Sequence, residues 1–104
     1  MLPWREHPAA REEFLDAIDW YEDQVSGLGG RFVEDAEAAL TFIRQWPEAA
    51  PTHGRRRIPQ IRHGSMQAFP YGIFYYVRDN QVVVVAYAHS RRRPGYWRTR
   101  LAHL

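Results

Sequence analysis

The stretch YGIFYYVRDNQVVVVAYAH, residues 71–89, constrains the fold more than any other segment of the chain. Its first half alternates: Ile73, Tyr75 and Val77 share one face of an extended strand, and Phe74, Tyr76 and Arg78 share the other. Asp79 and Asn80 follow, and both residue types tolerate the positive backbone angles of a two-residue hairpin turn. The second half carries four consecutive valines, which suit a strand covered on both faces, as a central strand is. A β-hairpin therefore anchors the C-terminal half.

The N-terminal half has a different period. Pro8 suits a first helical turn, and Glu12, Glu13 and Asp16 follow near the positive end of the helix dipole. Ala10, Phe14, Ala17, Ile18, Tyr21 and Val25 recur at steps of three and four, which predicts a helix over about residues 9–25 with one apolar stripe. The three glycines of SGLGG make a reversal. Phe32, Ala36, Ala39, Leu40 and Ile43 then repeat the helical period until Pro47. LPWREH ahead of the first helix reads as an edge strand, and PEAAPTHG, residues 47–54, reads as a loop. IPQIRHGSM, residues 58–66, reads as a strand weakened by Pro59 and Gly64. The expected architecture is a single α+β domain over residues 1–104, a helical hairpin packed on a small antiparallel sheet in the order β-α-α-β-β-β. PGYWRTRLAHL follows as a tail or short C-terminal helix.

Composition narrows the chemistry. No apolar run reaches the roughly 20 residues of a membrane helix, and charges stand where a signal peptide would be apolar, so a cytoplasmic protein is expected. Cysteine is absent, which excludes disulfides and thiolate ligands. His7, His53, His63, His89 and His103 show no pair at usual metal spacing, and neither a metal nor a cofactor is expected. All fourteen basic residues are arginine. Residues 1–50 hold eleven of the twelve acids and four arginines, net −7, whereas residues 51–104 hold ten arginines and only Asp79, net +9. Such polarity points to a nucleic acid or an oppositely charged protein as partner.

A paired helix ending near a proline, Arg62 seven positions before FPYGIFYYV, a hairpin, an apolar strand and HSRRRPGYW with a final arginine follow one another here. In this order the segments resemble the RelE/ParE superfamily of bacterial type II toxins, in particular the ParE-like, plasmid-stabilisation branch. The resemblance runs from about residue 9 to residue 100. Its most specific parts are FPYGIFYYV and the set His89, Arg92, Pro94, Trp97 and Arg100, with Arg93 where relatives often carry an acid. It implies an α+β fold and a growth-arresting toxin silenced by a cognate antitoxin, with oligomerisation through that complex. Two mechanisms divide the superfamily: ParE-like members inhibit DNA gyrase, and RelE-like members cut messenger RNA on the ribosome.

The residues bear on that choice. Cleavage by 2′-hydroxyl attack needs a base, an acid and cations for the phosphorane charge. Arg55, Arg56, Arg57, Arg62, Arg91, Arg92 and Arg93 offer the cations, but arginine does not give up a proton at useful pH, and no lysine exists. Asp79, the sole acid beyond Glu48, belongs to a turn. A ribonuclease would have to use His89 as acid or base, Tyr96 as donor, and Arg62 and Arg92 as phosphate clamps. The scarcity of proton carriers favours an inhibitor over an enzyme, with Arg62, Arg91, Arg92, Arg93 and Arg98 as target- or partner-binding residues. A degenerate, non-toxic module that only binds antitoxin or nucleic acid is a further alternative. Trp97 and Pro94 are expected to close the core and set a turn; the structural alternative for Arg92 is a pairing with an acid of the helical hairpin. Trp20, Phe42 and Trp46 lie off or at the edge of the core stripes and are candidate antitoxin anchors.

Overall fold

The structure, a computed structural model, describes residues 1–103 apart from the side chains of Arg56 and His103. Strand β1 (Trp4–Glu6) leads into helices α1 (Pro8–Gln24) and α2 (Leu28–Gln45). Strands β2 (Thr52–Arg57), β3 (Gln60–Ser65), β4 (Tyr71–Arg78) and β5 (Gln81–His89) follow, and a 3-10 helix (Tyr96–His103) ends the described chain. The α+β class and the helical hairpin agree with the sequence reading. The sheet has five strands in the order β1-β5-β4-β3-β2.

Two features of the sheet correct the sequence reading. β1 runs parallel to β5, pairing Trp4 with Val82 and Glu6 with Val84, so the sheet is mixed rather than purely antiparallel. The segment 52–57, part of which reads as loop, forms a hairpin with β3 and closes the far edge. That edge strand, THGRRR, has no apolar face of its own, and a register irregularity between Thr52 and Arg57 and the left-handed Gly54 bend it. Ladder hydrogen bonds to β3 hold it, which periodicity does not reveal.

The β4–β5 hairpin forms as expected, with Asp79 and Asn80 at φ of 53° and 57°. Residues 82–85 are all buried. The helices cover one face of the sheet, packing Ala10, Leu40 and Ile43 on Ile73, Tyr75, Val82, Val84 and Tyr87. On the opposite face Trp97 and Leu101 of the 3-10 helix cover Phe74, Tyr76, Val83 and Val85. Trp97 is 2% exposed, and its indole N–H has no acceptor among the described residues. An unmet donor costs about 1–3 kcal/mol, whereas burying an aromatic surface of this size gains about 4–6 kcal/mol. Packing wins, and the terminal segment closes the core as expected of Trp97.

Short polar clamps fix the connections. The Glu22 carboxylate accepts from the backbone N–H groups of Gly27 and Gly29, satisfying donors at the start of α2 from the end of α1. Asp35 on α2 accepts from the N–H groups of Gln67, Ala68 and Phe69 and so holds the β3–β4 loop. Helix α2 starts at Leu28, so two of the reversal's glycines lie within it. At Gly29 a Cβ would stand 2.8 Å from the Ile18 carbonyl oxygen. Alanine gains about 1 kcal/mol of helix propensity over glycine, but a clash with backbone forces the helices apart at a cost of about 1–3 kcal/mol. Gly29→Ala is therefore expected to lower the urea midpoint; an unchanged or raised midpoint would show that the close approach of α1 and α2 is dispensable.

Candidate functional site

Glu13 on α1 gathers the C-terminal segment. Its carboxylate accepts from both terminal nitrogens of Arg100, at 2.8 and 3.0 Å, from the Tyr96 hydroxyl, and from the Tyr87 backbone N–H at 3.2 Å. Arg100 also donates to the Val85 carbonyl at 2.9 Å. The two charged side chains are only 15% and 16% exposed, so the pair stands largely out of water with its polar atoms satisfied. Arg92 has no ion pair with an acid of the helices among the described residues, so the alternative of a structural pairing does not hold. Its guanidinium lies 3.8 Å from the centre of the Tyr96 ring, while Arg100, better placed over the sheet end, takes the carboxylate. A chain of contacts thus runs from α1 through Glu13 and Tyr96 to Arg92.

The same contacts limit proton transfer. Burial, reinforced by the hydrogen bond to Glu13 and its charge, raises the Tyr96 hydroxyl well above its ordinary range, so it keeps its proton more firmly than a free phenol. His89, at the end of β5, accepts at Nδ1 from the Arg91 N–H (3.0 Å), while its carbonyl accepts from the Arg92 N–H. Its ring meets Tyr71 edge-on, 5.2 Å between centres. Arg62 lies elsewhere: it donates to the carbonyls of Glu48 and Ala50 and fastens the α2–β2 connection, beside the Tyr75 hydroxyl that donates to Pro47. Three of the four residues a ribonuclease would use (His89, Arg92 and Tyr96) are neighbours, and Arg62 is not among them.

Two open clefts flank the 89–96 segment. The first, of about 410 Å³, lies over the sheet face that carries Phe74 and Trp97 and is rimmed by Arg92 and Arg93. The second, of about 550 Å³, lies between α1 and the end of β5 and is lined by Glu13, Asp16, Trp20, Tyr21 and Tyr87. Tyr71, His89 and Arg92 line both and form the wall between them. Arg91, Arg92, Arg93 and Arg98 are exposed, and none has a carboxylate partner among the described residues. The Arg98 guanidinium lies where a Cβ on Gly95 would be. Trp20 is 59% exposed at the second cleft, whereas Phe42 and Trp46, also exposed, line neither cleft.

Sequence reasoning missed Glu13, His53 and His63. Glu13 stands three residues after Ala10 and four before Ala17, an acid inside the apolar stripe, and that spacing was the available signal. His63 lies flat on Phe74, ring centres 4.4 Å apart and planes within 5°, and its ring fills the space a side chain on Gly72 would need. Among the described residues no group of three or more histidines and carboxylates is arranged to hold a metal ion, and no helix is long and apolar enough to cross a membrane.

Two outcomes follow from this geometry. Glu13→Ala strands the Arg100 charge and is expected to cost about 3 kcal/mol, on the order of 15 °C in Tm; a loss below 1 kcal/mol would remove the carboxylate from its place as anchor. Burial first, and the neighbouring His53 second, lower the His63 pKa from 6.5, so the folded state prefers the neutral ring. The stability this confers is present above the unfolded value and is lost as pH falls toward the lower folded one. His63→Leu is expected to lose less Tm than the parent between about pH 7 and pH 5; parallel curves would refute this.

No curated protein matches the chain. The solved chromosomal ParDE TA system from P. aeruginosa superposes with a TM-score of 0.67 at 13% identity, covering 86% of this chain and 96% of that one, which establishes a shared fold. The family model of the ParE toxin of the type II toxin-antitoxin system, parDE, matches residues 5–94. The match extends from β1 through both helices and the whole sheet to the arginine-bearing turn, and by it this chain belongs to the ParE toxin family of type II toxin-antitoxin systems.

Proposed function

We propose that the protein arrests growth as a cytoplasmic toxin that binds and inhibits DNA gyrase rather than as a nuclease, and that a cognate antitoxin silences it. The observation that carries this reading is the contrast between the free arginines and the committed proton carriers. Arg91, Arg92 and Arg93 are exposed and free of carboxylates, while the Tyr96 hydroxyl is held in its hydrogen bond to Glu13 and His89 uses Nδ1 within its own turn. A surface of this kind favours charge-assisted contacts to an acidic protein or to phosphate over proton relay. Arg62, occupied by two carbonyls, is a scaffold residue in this reading, and Arg98 adds to the basic surface.

The antitoxin is assigned to the second cleft. Trp20 offers an exposed aromatic anchor, and Tyr21, Tyr71 and Tyr87 continue the apolar lining. A segment seated there would reach Arg92 and His89 from behind and so reduce what the arginine turn presents. Phe42 and Trp46, exposed toward the far end of α2, would extend the contact along the hairpin and support assembly through the antitoxin complex.

Inducing the protein is expected to trigger DNA-damage signalling, and the purified protein is expected to inhibit or trap gyrase. Arg92→Ala combined with Arg93→Ala should weaken that inhibition at least tenfold, with folding unchanged by circular dichroism. Trp20→Ala should weaken antitoxin binding by about 2 kcal/mol and leave toxicity intact. Transcript cleavage on translating ribosomes that His89→Ala abolishes would replace this reading with the nuclease, and absence of toxicity from folded protein would leave only a binding module.

A further inference from the structure

A smaller cleft, of about 160 Å³, opens toward the β4–β5 turn, away from His89. Strand register builds it. Val83 pairs with Arg5 of β1 on one side and with Tyr76 of β4 on the other, so the three side chains stand in a row on the sheet face that the 3-10 helix covers. Neighbouring strands lie about 4.8 Å apart, which puts Arg5 and Tyr76 about 10 Å from each other across a short valine. The gap between these two long side chains is a trough floored by Val83 and Val85, and Arg78, two residues after Tyr76, joins the same face.

The polar groups around the trough are donors in excess. Tyr76 is buried, and its hydroxyl has no hydrogen-bond partner among the described residues. Arg5 and Arg78 are exposed, and neither belongs to an ion pair among the described residues. Arg5 donates from Nε to the Gln81 side chain at 3.2 Å, which keeps its terminal nitrogens for another acceptor. Glu6 also lines the cleft, but it alternates toward the helices, where its carboxylate accepts from the Tyr87 hydroxyl at 2.8 Å and lies 3.5 Å from Arg11. Arg100, at the wall formed by the 3-10 helix, is neutralised by Glu13. The start of α1, at His7 and Pro8, adds the positive end of a helix dipole. Two uncompensated charges and a buried hydroxyl thus face one space, with no carboxylate left to neutralise them.

From this arrangement we infer that the cleft is a binding site for a phosphate-type oxyanion, free or as the monoester end of a small molecule, which accepts from the Tyr76 hydroxyl at the floor and from the Arg5 and Arg78 guanidinium groups at the rim. A tetrahedral anion offers oxygens to donors arriving from two strands and from below, whereas a carboxylate has two oxygens in one plane. The volume holds such an anion with a few waters. A buried hydroxyl calls for a partner, and the anion supplies the acceptor that the fold does not. Reaching the floor takes a shift of Arg5 and Arg78, long exposed side chains whose movement leaves the backbone in place. The bound anion ties β1 to β4 across β5, remote from the arginine turn, and the site is independent of gyrase as the target.

The test follows two-dimensional amide NMR spectra of the full chain as inorganic phosphate is added at constant ionic strength, with glycerol phosphate, acetate and a short DNA duplex as separate arms. Inorganic phosphate is expected to shift the amides of Arg5, Tyr76, Arg78 and Val83 along a saturable curve and to bind at least tenfold more tightly than acetate. Glycerol phosphate binding more tightly than phosphate would identify a monoester as the ligand, and the reverse order free phosphate; either supports the site. Tyr76→Phe should weaken phosphate binding at least threefold, and Arg5→Gln with Arg78→Gln at least tenfold, with folding checked by circular dichroism. In phosphate-free buffer Tyr76→Phe should melt no lower than the parent, because it removes a hydroxyl that has no partner. Should that variant fold poorly, the location of the shifts and the acetate comparison on the parent protein decide. Shifts that fail to saturate or that centre on residues 91–93, equal binding of acetate, tighter binding of the duplex at the same residues, or a folded Tyr76→Phe variant with parental affinity would each overturn the site.

Discussion

The Glu13 carboxylate carries more of this structure than its single position suggests. It accepts from the backbone N–H of Tyr87 on β5, pairs with Arg100 and accepts the hydrogen bond of the Tyr96 hydroxyl, so α1, β5 and the 3-10 helix meet on two oxygen atoms. Were those oxygens missing, Arg100 would be a charge largely out of water beside a carbonyl, and the terminal helix would rest on apolar contacts alone. The ion pair is retained at a cost in desolvation, and what it secures is placement: it fixes Tyr96, and Tyr96 fixes the plane on which Arg92 lies. The exposed arginine turn is thus oriented from inside the fold by a residue on the opposite half of the chain.

That link also explains how the charge asymmetry is resolved. The acidic N-terminal half and basic C-terminal half do not neutralise one another wholesale. Two ion pairs are present among the described residues, one of them within the N-terminal segment itself (Arg11 with Glu6). Other acids work on backbone: Glu22 caps α2, and Asp35 holds the loop that walls the first cleft. Most C-terminal arginines are therefore left facing outward.

The elements most legible in the sequence were those whose side chains alternate against a core. The 71–89 hairpin showed itself through Ile73, Tyr75 and Phe74, Tyr76 on opposite faces, and the helices through their three-and-four stripes. β2 stayed hidden because THGRRR carries no alternating apolar side chains and is held by hydrogen bonds to a neighbour. The parallel pairing of β1 with β5 is a matter of topology across most of the chain, which no local pattern encodes. His89, Arg92 and Tyr96 come together at one cleft because one short segment contains them. Glu13 and His63 were missed because their meaning depends on a partner more than ten residues away in sequence. Arg62 lies apart from that segment, on the carbonyls of Glu48 and Ala50, and an arginine near a strand start reads the same in sequence whether it faces a ligand or two backbone carbonyls.

Tyr71, His89 and Arg92 form one wall with a cleft on either side. Molecules in the two clefts would therefore draw on the same three side chains, and their affinities would be linked. If one occupant pulls Arg92 toward itself, the other loses a guanidinium, and by reciprocity the second must weaken the first by the same factor. No rearrangement of the backbone is needed for this antagonism. It follows from a partition one residue thick whose most flexible member has a single charge and two sides on which to spend it.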